Sequence, residues 1–267
     1  DEANSQGEKE ARRARNALYA YNQQLASIRL SARGVNPRVL SPINVDEIDV
    51  STPSGRSAML LGMMSYFFIF ALLMGGMYLA IDTTAGERER GSLEPLLSLP
   101  VTRGQLILGK ILAACVFMAA SLLLSLMSFY VVLKFMPLEQ LGMTPNFGLP
   151  VVAAAFLLLL PFILLGASLM TLVASFTKSY KEAQTWLSAV LIAPTLPILV
   201  VSILTLRPQI EFMFVPSLSQ HLILVDMVKN EPLNGLHIAI SVCSTLAIGA
   251  LLTWACARLY RREGLLG

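Results

Sequence analysis

The sequence predicts an all-α polytopic membrane protein, and three observations carry that prediction. Of 267 residues, 55% are hydrophobic and only 14% charged, with a mean hydropathy of +0.65, whereas a soluble domain carries about 25% charged residues. Five stretches lack any Asp, Glu, Lys or Arg over the ~20 residues that an α-helix needs to cross ~30 Å of hydrocarbon. The charge is also unevenly placed: residues 1–57 hold 8 Lys/Arg and 7 Asp/Glu, while the other 210 hold 12 and 10. Residues 1–57 therefore read as an extracytoplasmic segment and residues 58–267 as a transmembrane domain.

The elements follow in order. A helix is predicted from about Glu8 to Ala32, then a strand-like alternation of Ile43, Val45, Ile48 and Val50 between turns at Pro37, Pro42 and Pro53, which makes a small external α/β segment. The first span is 58–81. The second, 111–133, is entered by Lys110 and left by Lys134. The third, 149–176, contains Pro161, so a tilt or kink is expected; the fourth, 183–206, is interrupted by Pro194 and Pro197. The fifth, 236–257, is followed by Arg258, Arg261 and Arg262. Gly75, Gly76, Ala80 and Ser168 read as small residues that let helices approach closely. Cys115, Cys243 and Cys256 lie in apolar runs without metal-ligand or disulfide spacing and read as small hydrophobes.

Basic residues in short loops are retained on the cytoplasmic side. Arg88, Arg90 and Arg103 follow the first span, Lys178 and Lys181 the third, and the arginine cluster the fifth, while the other two loops are poor in Lys and Arg. The C-terminus is thus expected inside and residues 1–57 outside, a long segment being translocated largely regardless of its charge. An external start without a cleavable signal further implies a sixth, N-terminal transmembrane helix ahead of residue 1.

The first internal loop, with its flanks 83–105, is the most informative stretch. Leu93, Leu96, Leu97 and Pro100 stand at i, i+3, i+4 and i+7, so a short helix there would gather them on one face opposite Glu87, Arg88, Glu89, Arg90 and Glu94. Such a helix docks on a partner or lies at a membrane surface; the same pattern also fits a solvated polar loop. The run from Glu87 through Gly91 and Ser92 to Pro100, leading by Gln105 to Lys110 into the next span, resembles the type-2 ABC exporter permeases. In that family an E-x-E-x-G-[ST]-x-E-x-L-L-x-x-P stretch forms the cytoplasmic coupling element that receives motion from a separate nucleotide-binding subunit.

A second match lies between the fourth and fifth spans, over 208–232. Phe214–Lys229, with Pro216, Gln220, Leu222 and Asp226, is similar to an external re-entrant element of the sodium-exporter NatB branch of that family. Leu218, Leu222, Val225 and Val228 fall on one helical face, which suits a half-buried helix as well as an ordinary surface helix. The large external segment ahead of residue 58 resembles that branch too.

The resemblance implies a permease subunit of an ATP-driven exporter in a bacterial or archaeal plasma membrane. It would be paired with a second permease, identical or homologous, and move a small cation such as Na⁺ or a small amphipathic compound. No Gly-x-x-x-x-Gly-Lys-[Ser/Thr] run occurs in the chain, so ATP and Mg²⁺ belong to a separate P-loop ATPase partner, and this chain is expected to carry no cofactor, metal or catalytic residue. The net charge of +3 is too small and scattered for a nucleic-acid surface. Within the spans the candidate polar path consists of Ser121, Ser125 and Ser128 on one stripe and Ser168, Thr171 and Ser175 on another; helix–helix hydrogen bonding explains the same stripes. The rival classes are an intramembrane protease, which needs a Ser/His pair or metal ligands in the bilayer, and a non-transporting scaffold.

Overall fold

The structure, a computed structural model, describes residues 5–36, 53–92, 95, 100–136, 147–204 and 209–261. Contacts divide the chain into two units, Asp1–Val50 and Ser51–Gly267. In the first, α1 (Ser5–Ala32) is the expected helix. It ends in a Schellman turn in which Gly34, at φ +72°, donates to Ser31 O and Val35 donates to Leu30 O. Residues 43–50, where a strand was expected, lie outside the described residues. Among the described residues there is no strand, so what is seen of this segment is helical rather than α/β.

The second unit contains α2 (Pro53–Ile81), α3 (Arg103–Phe135), α4 (Leu149–Phe176), α5 (Tyr180–Ile192), α6 (Thr195–Leu204), α7 (Leu218–Lys229) and α8 (Gly235–Arg261). Among the described residues five stretches are long and apolar enough to cross a membrane: Met63–Glu89, Arg103–Phe135, Leu149–Phe176, Tyr180–Val200 and Gly235–Tyr260. The third matches its sequence bounds, and the helix is continuous through the buried Pro161.

One boundary differs from expectation, and one expected interruption is seen. α3 starts eight residues before 111, at Arg103, because Thr102 and Gln105 form a capping box: Gln105 N donates to Thr102 Oγ1 (3.3 Å) and Thr102 N to Gln105 Oε1 (3.0 Å). The polar residues ahead of the apolar run therefore belong to the helix rather than to a loop. The fourth span is two helices. Pro194 supplies no N–H and its ring clashes with the preceding turn, so α5 stops at Ile192 and α6 starts at Thr195, whose hydroxyl donates back to Ile192 O at 2.5 Å. Pro197 falls in the first turn of α6, where no intrahelical N–H bond is lost.

α2, α3, α4 and α8 form the central bundle, with α5 against α2 and α4, and α7 against α2. α3 buries Ile107, Ile111, Ala114, Met118, Leu122 and Leu126, a single stripe at three- and four-residue spacing. These side chains share one core with Ile69, Leu72 and Leu73 of α2 and with Leu159, Phe162 and Met170 of α4. Close approach rests on small residues, as expected of Gly75 and Gly76. A Cβ at Gly75 would collide with the Ser121 side chain, and one at Gly166 would stand 2.7 Å from Leu73 Cδ2 and 2.8 Å from Met118 Cε.

Gly75→Ala is expected to destabilise the bundle by about 1–3 kcal/mol through overpacking, read as a lower unfolding temperature in detergent. Gly109→Ala, where an added Cβ meets nothing within 4 Å, is expected to be neutral or stabilising by up to about 1 kcal/mol; equal effects at both sites would refute the packing argument.

Candidate functional site

The helix of α2 does not stop at Ile81. It widens into a π turn over Asp82–Gly86 and continues through Glu87–Glu89. Thr83 Oγ1 donates to Leu79 O (2.8 Å) and Thr84 Oγ1 to Ala80 O (2.5 Å), supporting carbonyls whose ordinary partners the wider turn displaces. The extension ends in a Schellman turn: Gly91, at φ +67°, donates to Arg88 O, and Ser92 donates to Glu87 O. Only glycine adopts that φ without strain. The stretch expected to leave the helix at Thr83 thus remains helical to Glu89. Leu93, Glu94, Leu96 and Leu97 lie outside the described residues.

The three charges of Glu87, Arg88 and Glu89 each go to a different helix. The Glu87 carboxylate pairs with Lys110 of α3, whose Nζ also donates to Thr83 O at 2.5 Å. Arg88 reaches the C-terminal end of α4, donating from Nη1 to Thr177 O (2.8 Å) and from Nη2 to Ser175 O (3.1 Å). Its Nε is buried without a partner among the described residues. Glu89 Oε2 accepts from Tyr180 N, the first residue of α5, at 2.6 Å. The signs suit the sites: a cation meets the negative end of one helix dipole and an anion meets the positive end of the next. Arg90 folds back on Asp82 Oδ1 at 2.8 Å.

Glu87, Arg88, Glu89 and Arg90 are thus all bonded within the chain, with Glu89 and Arg90 still exposed. Lys178 and Lys181 are exposed beside them. There the turn 177–179 is fixed by Lys178 N to Glu182 Oε2 (2.9 Å) and Glu182 N to Ser179 Oγ (3.2 Å). The Tyr260 hydroxyl of α8 lies 3.2 Å from Ser175 Oγ, so the regions after the first, third and fifth spans share one end of the bundle. Sequence reasoning missed Lys110, Asp82, Thr177 and Tyr260 as parts of this site. The available signal was Lys110, a lone charge heading an uncharged run.

Five of the six candidate pathway hydroxyls are engaged within the bundle. Ser121 donates to Ala71 O (2.8 Å), Ser125 to Ser121 O (2.8 Å), Thr171 to Ala167 O (2.7 Å) and Ser175 to Thr171 O (2.6 Å). Ser168 bonds Leu164 O at 2.7 Å and sits 2.6 Å from Thr253 Oγ1. Ser128 is exposed.

At the other end, a 3₁₀ turn (Ile210–Phe214) leads to α7. Every residue from Ser217 to Leu224 is buried, so the first two turns are enclosed all round, where the leucine stripe had suggested one covered face. The polar face is buried because it finds neutral partners. Ser217 N donates to Gln220 Oε1 (2.7 Å), Gln220 Nε2 to Thr245 Oγ1 (2.8 Å) and Ser241 Oγ to Ser219 Oγ (2.8 Å), while Ser217 Oγ donates to Pro194 O (2.7 Å) at the break between α5 and α6. Pro216 is half-buried in the entering turn and Leu222 is buried. Asp226 is half-buried in the last turn; burial first, then the Glu231 carboxylate, raise its carboxyl above the usual value against the pull of Lys229 and His237.

The structure also brings together a pair that the sequence does not reveal: Ser65 Oγ of α2 lies 2.5 Å from His221 Nδ1 of α7. A hydrolytic nucleophile needs an open face for substrate and water. Ser65 is 2% and His221 5% exposed, so this contact ties α7 to α2.

Two comparisons with known proteins bear on this architecture. The family model described as "ABC-2 family transporter protein" matches residues 3–255. The chain is 26% identical, over 90% of its length, to the ABC transporter permease protein NatB of Bacillus subtilis (strain 168), and the alignment spans 64% of that relative.

Arg88→Ala is expected to lower stability by about 1.5–3 kcal/mol, the worth of charge-assisted bonds to buried carbonyls, seen as a reduced unfolding temperature in detergent. Arg88→Lys should recover only part, since an ammonium lacks the fork that bonds two carbonyls together. Full recovery by Lys would show that charge alone suffices there.

Proposed function

The chain belongs to the ABC-2 family of transporters, and from that premise we propose that it is the permease subunit of an ATP-driven exporter, moved by a separate P-loop ATPase. One observation carries the reading furthest: Glu87, Arg88 and Glu89 join the end of α2 to α3, α4 and α5. A displacement applied at residues 83–105 passes directly into four helices. On this reading that end faces the cytosol, residues 1–57 lie outside, and Leu93, Leu96 and Leu97 bury against the ATPase, with Glu94 at the rim of the contact. The internal bonds of residues 87–89 support a role in transmitting the push, while the exposed Lys178 and Lys181 are left to meet the partner. ATP and Mg²⁺ reside on that partner.

The permease works as one half of a pair. Its substrate is a small cation of the Na⁺ kind or a small amphipathic compound. The absence of Asp, Glu, Lys and Arg from the five apolar stretches supports a path offering neutral hydroxyl and carbonyl oxygens, and it supports energy entering from another chain rather than through an intramembrane relay.

Leu96→Asp is expected to leave the protein folded in the membrane while abolishing ATPase stimulation by the permease. The lost burial of about 1.5–3 kcal/mol corresponds to roughly tenfold or more in docking affinity. Unchanged stimulation would reject the docking role. Sidedness is checked by Lys178→Cys in a chain without its native cysteines: a membrane-impermeant thiol reagent should label inverted vesicles and spare intact cells, and the opposite pattern would overturn the reading.

A further inference from the structure

α1 carries apolar residues at Ala11, Ala14, Leu18, Tyr21, Leu25, Ile28 and Ala32. The spacing is three, four, three, four, three, four, without a break from Ala11 to Ala32. That is the a/d pattern of a two-stranded coiled coil, in which a seam recurs every 3.5 residues. At the described seam side chains, Leu18, Tyr21 and Ile28 are 61–69% exposed, Ala32 is exposed and Leu25 is half-buried. A 28-residue helix with this much apolar surface in water gains most of its stability from a partner face.

We propose that the partner is α1 of a second copy of this chain, the two forming a parallel coiled coil outside the bilayer. Two arguments choose that occupant. Copies inserted in one membrane share one orientation, so their twofold axis runs along the membrane normal and brings equivalent helices together parallel. In that register the flanking g positions are Glu10, Ala17 and Gln24 and the e positions that oppose them are Arg15, Asn22 and Arg29. Glu10 is thus set opposite Arg15 of the other copy, and no like charges are paired.

The inference rests on the paired arrangement proposed above but not on any substrate or ATPase, and the test separates the two. In the full chain with Cys115, Cys243 and Cys256 replaced by alanine, single cysteines are introduced as Leu18→Cys, Tyr21→Cys, Leu25→Cys and Ile28→Cys. Tyr19→Cys, Gln23→Cys and Ser27→Cys, off the seam, serve as controls. A disulfide requires Cα atoms within about 7 Å, so mild oxidation in native membranes should give covalent dimers at the four seam sites and lose them at the controls. Tyr21→Lys with Ile28→Lys should abolish the Leu18→Cys and Leu25→Cys dimers while the protein remains in the membrane.

The mass of the unoxidised protein in lipid nanodiscs is measured alongside. A dimeric mass with cross-links at no site, or equally on all faces, overturns the seam and leaves the paired permease standing. That outcome would assign the apolar stripe to residues 37–50 of its own chain or to a lipid surface. A monomeric mass overturns both.

Discussion

The Arg88 guanidinium holds the C-terminal carbonyls of α4, and one end of the bundle is arranged around that contact. The last carbonyls of any helix lack intrahelical partners. Here a cation delivered from another helix satisfies two of them. Glu87 and Glu89 flank that cation and reach in different directions because successive residues on a helix are about 100° apart. Three adjacent side chains can therefore address three neighbouring helices only while the backbone that carries them stays helical. The π turn at Asp82–Gly86 and the Gly91 stop define that short extension, and Lys110, Thr177 and Tyr180 receive it.

Much of the fold was legible because hydrophobic length is a local property. Residues 149–176 read as a span without further information, and Pro194 announced a break that α5 and α6 display. The errors concern segments whose polar residues are satisfied from afar. Residues 82–89 read as a loop because Glu87, Arg88 and Glu89 are costly to hold beside a bilayer unpaired, and the carbonyl that Arg88 meets is 89 positions along the chain. The start of α3 was misplaced for a more local reason, since the capping pair Thr102 and Gln105 is polar and lies ahead of the apolar run.

The same reasoning accounts for the second half of the molecule. The leucine stripe of α7 correctly marked a covered side. No periodicity could report that Ser217, Ser219 and Gln220 would be enclosed as well, because their partners Pro194, Ser241 and Thr245 sit on other helices. The hydroxyl stripes of α3 and α4 posed the converse problem. Their spacing marked a shared face, and the structure turns five of the six hydroxyls onto neighbouring carbonyls or Thr253.

The contacts that fasten the start of α7 through Ser217, Ser219 and Gln220 are made by hydroxyls, an amide and a backbone carbonyl, none bearing formal charge. A unit charge crossing a 100 mV gradient exchanges about 2.3 kcal/mol with the field; exchanging one of these dipolar contacts for another exchanges almost nothing. These fastenings therefore couple only weakly to membrane polarisation, and any response of the segment to the field falls to the charges at its far end, Asp226 and Lys229.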